Sequence, residues 1–175
     1  EAVLQTILAK HPVVMCSQYN DKAEVPCVVI DDYAASKSAV NYLISIGKKK
    51  IAMLNAQSSY SYARFRERGF VDALTEAGLP INPKFIAHVN DVDYHLAFSS
   101  IFNILSGPEK PDAVFCISDV FASAAIKAAE QLNLSVPRDV AVMGFDNISL
   151  SSMTVPTIST VNQPMYQLGW QSRNL

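Results

Sequence analysis

The sequence has few glycines, and none of them stand in a phosphate-binding pattern. The six glycines form neither GxGxxG nor GxxxxGK[ST], so a loop whose backbone closely approaches a pyrophosphate is not expected. No GxSxG turn presents a serine nucleophile, and the three histidines lack the HExxH spacing of a zinc site. We therefore predict no cofactor, no metal and no catalytic centre.

Excess positive charge and long apolar runs are also absent. The 14 basic residues are outnumbered by 16 acidic ones, whereas a DNA-binding surface needs clustered cations to replace phosphate counterions. The one basic run, Lys48–Lys49–Lys50, follows Gly47, as expected at the C-terminus of a helix. No run approaches the roughly 18 apolar residues that a membrane helix needs. By itself, this chain should bind nucleic acid poorly and not span a membrane.

Cysteine is scarce and unevenly placed. Cys16, Cys27 and Cys116 lie in apolar runs that predict strands. Their number is odd, and no two have the spacing of metal ligands. Buried, reduced thiols in a cytoplasmic protein are the simple expectation.

Half of the residues are hydrophobic, and their pattern alternates between strand and helix. Short apolar runs such as 13–16 and 113–117 are typical of buried parallel strands, and helical stripes such as 119–132 lie between such runs. This repeat predicts an α/β fold with parallel sheets flanked by helices. After Asp146 the alternation breaks, and 148–156 is expected to be a loop.

A polar, aromatic segment after the predicted strand 51–54 indicates a change of lobe. Residues 1–54 are predicted to form part of an N-terminal lobe, and residues 55–147 a C-terminal lobe. Residues 148–175 are predicted to be a crossover and return segment.

Polar and aromatic side chains follow several of the predicted strands. In open α/β sheets, ligands bind in the crevice beyond the carboxyl ends of the strands. Carboxylates and arginine form bidentate hydrogen bonds with vicinal hydroxyls, and tyrosines stack on a sugar ring or a base. The candidate ligand-binding residues are Arg66, Asp146, Asp119, Ser118, Tyr60 and Tyr62.

These candidates also have purely structural interpretations. Asp119 could cap a helix, Asp146 could belong to a turn, and Arg66 could pair with an acid on its own helix. Tyr60 and Tyr62 could simply line the boundary between the lobes. The residue types alone leave these alternatives open.

Five blocks, in order along nearly the whole chain, resemble the LacI family of transcriptional regulators. The blocks are VIDDYAA with AVNYLISIGKKKIA, then RERGF, FCISDVFA, VPRDVAVMGFDN and TVNQP. The resemblance implies a periplasmic-binding-protein-like fold with two lobes around a cleft. It also implies that the first lobe is incomplete here, that the return segment is truncated, and that a helix-turn-helix headpiece lies outside this chain.

The resemblance further implies residue roles. In the family, the positions of Arg66 and Asp146 bind the effector. Positions that line the cleft in various members are those of Ser118, Asp119, Tyr60 and Tyr62. The family dimerises, partly through the helix that carries Phe121 and the loop near Met153, whose apolar side chains suit either such a face or a core.

Three functions from different classes compete. The resemblance favours the effector-sensing domain of a cytoplasmic, homodimeric repressor, which contacts operator DNA through the headpiece and responds to the effector by a population shift. The alternative is a periplasmic sugar-binding protein of a transporter. An enzyme would need a nucleophile–base pair, which is not found. Since Arg66 roughly balances Asp119 and Asp146, the effector is expected to be neutral and hydroxyl-rich, a sugar before a nucleoside.

Overall fold

Helices and strands alternate along the chain, as the hydrophobic pattern predicts. The computed structural model describes residues 2–18, 25–90 and 92–174. Its helices are α1 (Ala2–Leu8), α2 (Asp32–Ser45), α3 (Ser61–Glu76), α4 (Tyr94–Ser106), α5 (Asp119–Gln131), α6 (Leu150–Met153) and α7 (Met165–Arg173). Its strands are β1 (Met15–Cys16), β2 (Cys27–Val28), β3 (Ile51–Ala56), β4 (Ile86–Val89), β5 (Ala113–Cys116), β6 (Ala141–Asp146) and β7 (Ser159–Asn162).

The chain divides into two compact units. Unit 1 comprises Glu1–Asp31 with Pro164–Leu175, and unit 2 comprises Asp32–Gln163. In unit 1, β1 pairs in parallel with β2, and α7 packs on both strands. No helix in the described part of the chain is long and apolar enough to cross a membrane.

Unit 2 contains a five-stranded parallel sheet that carries most of the core. Its strand order is β4-β3-β5-β6-β7. Every residue of β3 and β5 is buried, and so are all residues of β6 except the last. Because all strands are parallel, their carboxyl ends meet at one edge, which we call the carboxyl edge.

The predicted lobe boundaries after residues 54 and 147 do not match the division into units, which falls after Asp31 and after Gln163. The reason is strand pairing: β3 is an interior strand with β4 on one side and β5 on the other. In addition, α2 packs along α3, which keeps it in the same unit as β3. The polar segment after β3 is therefore a strand-to-helix loop and not a link between units.

Two smaller expectations are wrong. The segment 148–156 contains the short helix α6, which is too brief to show a helical period. Cys16 is exposed and Cys27 half-buried, because β1 and β2 are only two residues long; Cys116 is buried as expected, and burial raises the pKa of its thiol.

Phe121 and Met153 were expected to belong either to a dimer face or to a core. Phe121 is completely buried within unit 2, and Met153 is exposed.

Helices α2 and α3 approach each other closely at Gly69. A Cβ atom at this position would collide with the backbone oxygen of Tyr33 and lie 3.1 Å from the Cβ of Ser36. The buried Ser36 hydroxyl donates a hydrogen bond of 2.6 Å to the backbone oxygen of Arg66, and the Tyr33 hydroxyl donates to Asp72 at 2.9 Å. The start of α2 is thereby fixed against the middle of α3.

This close approach predicts the effect of Gly69→Ala. Helix propensity alone would make alanine stabilising by about 0.5–1 kcal/mol. The collision involves backbone, which cannot rotate away, so we expect a net loss of about 1–3 kcal/mol in the free energy of unfolding, measured by urea denaturation. The neighbouring exposed position supplies the control: Arg68→Ala should change stability by less than about 0.5 kcal/mol. A stabilised Gly69→Ala variant would contradict the close packing.

Candidate functional site

Arg66 is a buried arginine on α3, near the carboxyl edge. Only 4% of the residue is exposed. Its Nε donates to Asp32 Oδ1 at 2.8 Å, and its Nη2 lies 2.7 Å from the same oxygen. Its Nη1 donates to the backbone oxygen of Ile117 at 2.6 Å, directly after β5. The acid that pairs with Arg66 is thus on α2, so the alternative of an acid on its own helix is wrong.

Two aromatic rings contact the same guanidinium. Its Cζ lies 3.5 Å from the ring centroid of Phe145, in β6, and 5.1 Å from that of Tyr62. Tyr62 stacks on Tyr60 with 5.3 Å between centroids and 21° between ring planes. Cation–π contacts fix the orientation of the guanidinium plane, and hydrogen bonds fix its position within that plane. The structure therefore brings Tyr60, Tyr62 and Arg66 together.

Asp146 ends β6 beside Arg66. Its Oδ1 lies 3.9 Å from Arg66 Nη1 and accepts a hydrogen bond of 2.6 Å from Gln163 Nε2. The side chain is 24% exposed. The φ angles of Asp146 and Asn147 are +105° and +57°, an uncommon conformation for residues other than glycine. The N–H of Ile148, which an Asx-type turn at Asp146 would use, donates to Asp119 Oδ2 instead, so the left-handed backbone and not such a turn sets the carboxylate close to Arg66.

The pKa of Asp146 is raised above its ordinary value. Burial is the largest cause, because it disfavours the charged carboxylate, and the nearby charges of Asp119 and Asp32 add to the rise. The hydrogen bond from Gln163 and the charge of Arg66 oppose it without cancelling it. The carboxylate is therefore less well solvated in the folded protein than in water.

Asp119, in contrast to Asp146, is not exposed beside Arg66. It is completely buried; its Oδ1 accepts a hydrogen bond of 2.6 Å from the Thr160 hydroxyl, and its Oδ2 accepts one of 2.8 Å from the Ile148 N–H. It is not the helix cap either, since the Ser118 hydroxyl accepts from the Phe121 N–H at 3.2 Å and caps α5. These contacts give Asp119 and Ser118 structural roles.

Three residues of this group were not predicted from the sequence: Asp32, Phe145 and Gln163. Asp32 follows the apolar residues that open the VIDDYAA block, a position similar to that of the other candidates. Gln163 lies directly after β7, in the TVNQP block, where no periodic pattern marks an individual side chain. Phe145 continues an apolar strand and looks like a core residue until its contact with Arg66 is known.

A second polar cluster lies at the ends of β3 and β4. The Asn55 amide donates to Glu67 Oε2 at 2.8 Å, and His88 Nε2 lies 2.6 Å from the same oxygen. Asn55 is buried, and its amide also donates to the backbone oxygen of Ala63 at 3.2 Å. In the described residues, no group of three or more His, Cys, Asp or Glu side chains could hold a metal ion.

Comparison with known proteins gives consistent relatives. Residues 3–174 match a family model described as periplasmic binding proteins and sugar binding domain of LacI family. The chain is 35% identical over 158 residues to the HTH-type transcriptional repressor CytR of Escherichia coli, covering 90% of this chain and 46% of that protein. It is also 35% identical to catabolite control protein A of Priestia megaterium, covering 90% and 48%. The chain thus spans about half the length of these curated relatives.

Solved structures show the same fold. An uncharacterized protein from Actinobacillus succinogenes has a TM-score of 0.90 and 40% identity, with 99% of this chain and 64% of that chain covered. A regulatory protein of LacI family from Chloroflexus aggregans has a TM-score of 0.89 and 27% identity, with 98% and 62% covered. The predicted periplasmic-binding-protein-like α/β fold and the resemblance seen in the sequence blocks are confirmed. The chain belongs to the family of periplasmic binding proteins and sugar-binding domains of LacI-type regulators.

Proposed function

We propose that this chain is the effector-binding domain of a LacI-type transcriptional repressor and that Arg66 and Asp146 bind the effector. The observation that carries the proposal is the buried guanidinium of Arg66, fixed by Asp32 and Ile117, with the Asp146 carboxylate 3.9 Å away. The relatives named as a transcriptional repressor and as a regulatory protein of LacI family support this role over transport or catalysis.

The arrangement offers donors and an acceptor side by side. A guanidinium has five N–H groups, and the contacts to Asp32 and Ile117 use three of them, leaving one on each Nη nitrogen. Gln163 occupies one oxygen of Asp146, and the other can accept a hydrogen bond. A vicinal diol supplies both partners, since one hydroxyl accepts from Arg66 while the next donates to Asp146.

Charge favours a neutral effector. The positive charge of Arg66 is already compensated by Asp32, at 2.7 Å, so an anion would find no uncompensated cation there. It would also meet Asp146, whose raised pKa shows that this carboxylate already lies in a poorly solvated place. A hydroxyl that donates to the carboxylate replaces its lost water without adding charge.

A sugar is the first choice and a nucleoside the second. The family model is described as including a sugar-binding domain, and a transcriptional regulator in complex with cellobiose is similar to this chain, with 25% identity and a TM-score of 0.84. The stacked pair of Tyr60 and Tyr62 suits the face of a sugar ring or of a base. Asp119 is omitted from the proposed ligand contacts because hydrogen bonds from Thr160 and Ile148 use both of its oxygens, and Ser118 is omitted because its hydroxyl caps α5.

The proposal extends to the whole protein. We place it in the cytoplasm as a homodimer that binds operator DNA through a headpiece outside this chain. Effector binding then shifts the population between forms that do and do not bind DNA. A periplasmic sugar-binding protein is the alternative, and relatives with regulator names weigh against it.

A ligand panel tests the site. The full-length protein is screened by thermal shift against D-ribose, D-galactose, cellobiose, adenosine, uridine and hypoxanthine, and the hits are titrated by calorimetry. Arg66→Lys keeps the charge but loses the fork, and Asp146→Asn loses the anionic acceptor. Each variant should bind the tightest hit about 10- to 100-fold more weakly, the range expected for hydrogen bonds to charged groups.

Arg68→Lys is the matched control, since Arg68 lies two residues away on the same helix with an exposed side chain, and it should bind as the unaltered protein does. Unchanged affinity in Arg66→Lys and Asp146→Asn would contradict the assigned site. A panel without any hit would contradict the ligand class.

The raised pKa of Asp146 predicts that the site reduces stability. Between the ordinary pKa of 3.8 and the raised value, the folded protein holds a proton that the unfolded chain has lost. Stability therefore falls as pH rises through this window, and the full penalty is present at neutral pH. Asp146→Asn should unfold at a higher urea concentration than the unaltered protein at neutral pH, and this difference should disappear below pH 3.8. A variant less stable at neutral pH would contradict the unfavourable burial of this carboxylate.

A further inference from the structure

Arg66 and Asp146 stand opposite in charge but are not in direct contact. Their closest charged atoms are 3.9 Å apart, although charged N–H···O hydrogen bonds normally measure about 2.7–2.9 Å. Both side chains are largely buried, with 5% and 24% exposed, where attraction between opposite charges is stronger than in water. Another interaction must hold each of them in place.

Asp32 holds the guanidinium. One oxygen of Asp32, Oδ1, accepts a hydrogen bond from Arg66 Nε at 2.8 Å and lies 2.7 Å from Arg66 Nη2. The Asp32 side chain is only 11% exposed. The backbone oxygen of Ile117 takes Nη1, the nitrogen closest to Asp146. The guanidinium of Arg66 thus makes its hydrogen bonds to α2 and to the residue directly after β5.

Gln163 holds the carboxylate. Its amide donates to the oxygen of Asp146 that is nearest to Arg66, at 2.6 Å. The adjacent backbone is fixed as well, since the Asn147 amide donates to Asn162 Oδ1 at 2.9 Å. Two side-chain hydrogen bonds therefore connect the end of β6 to the end of β7, one between Gln163 and Asp146 and one between Asn147 and Asn162.

We propose that Asp32 and Gln163 are positioning residues that keep Arg66 and Asp146 from closing on each other, so that both remain available to a hydroxyl-bearing ligand. This inference rests on the proposed function of the pair. If Arg66 and Asp146 were hydrogen-bonded to each other, a ligand would first have to separate them. The free energy of that separation would weaken the binding of the ligand. Asp32 is the first residue of unit 2 and Gln163 the last, so the geometry of the pair is set where the chain enters and leaves this unit.

Removing Asp32 tests the proposal without any ligand. In a crystal structure of the unliganded full-length Asp32→Ala protein, Arg66 should move to Asp146 and shorten their distance from 3.9 Å to about 2.8 Å. Asp32→Asn, which keeps the shape of the side chain, serves if the alanine variant does not fold. Asp32→Glu keeps a carboxylate at this position and should keep Arg66 and Asp146 about 3.9 Å apart.

Asp72→Asn is the matched control. Asp72 also joins α2 to α3, by accepting from the Tyr33 hydroxyl at 2.9 Å, and it makes no contact with Arg66 among the described residues. Its replacement should leave the 3.9 Å separation unchanged. An unchanged separation in Asp32→Ala or Asp32→Asn would overturn the positioning role of Asp32.

Removing the Gln163 amide provides an independent measurement. If Gln163 keeps Asp146 from Arg66, a crystal structure of the unliganded Gln163→Leu protein should show the Arg66 Nη1–Asp146 Oδ1 distance shortened from 3.9 Å to about 2.8 Å. Gln167→Leu, at an exposed glutamine in α7, should leave that distance at 3.9 Å. An unchanged distance in Gln163→Leu would overturn the role of Gln163. Neither measurement needs a ligand, so failure of the proposed binding function would be seen separately, in the panel.

Discussion

The ion pair between Arg66 and Asp32 is the interaction on which the candidate site depends. It joins the start of α2 to the middle of α3, and the close approach at Gly69 and the Ser36 hydrogen bond make that junction possible. Breaking a buried pair by removing one partner destabilises a protein by about 3–5 kcal/mol, yet replacing both partners by apolar residues is often neutral or stabilising. Stability alone is therefore a weak reason for a buried guanidinium, and the proposed binding role supplies a better one.

Asp146 shows the same conflict between stability and the proposed binding role. Its backbone has a φ of +105°, a conformation that costs about 1–3 kcal/mol in a residue other than glycine, and burial raises the pKa of its carboxyl group. Gln163 and the hydrogen bonds between the ends of β6 and β7 hold it there. An unfavourable backbone and an unfavourable charge thus meet at the Asp146 carboxylate, which lies 3.9 Å from Arg66 and is 24% exposed.

The alternation of strands and helices was predictable because apolar periodicity is a local property. The predicted strand 113–117 extends one residue beyond β5, and the predicted helix 119–132 ends one residue after α5 does. The boundary between the units was not predictable from the polar segment after β3, because it depends on which strands lie beside β3. Four residues of α6 are too few to show any period.

The site was predictable in part. Arg66, Asp146 and the two tyrosines follow strands, and the parallel sheet gathers strand ends at one edge. Asp32 and Asp119 required long-range knowledge: Asp32 meets a partner 34 residues away, and Asp119 is buried by a hydrogen bond to Thr160, which is 41 residues away. Residue type and position cannot distinguish a carboxylate that faces a ligand from one that ties the fold together.

A crystal structure with the tightest-binding compound of the sugar and nucleoside panel tests the central claim most directly. One hydroxyl should lie within hydrogen-bond distance of Arg66 and a neighbouring one within that distance of Asp146, with a ring of the ligand against Tyr60 or Tyr62. A compound found elsewhere would contradict the assignment. An example is the surface groove of about 430 Å³ lined by Phe85, Asn103 and Gly107, among others.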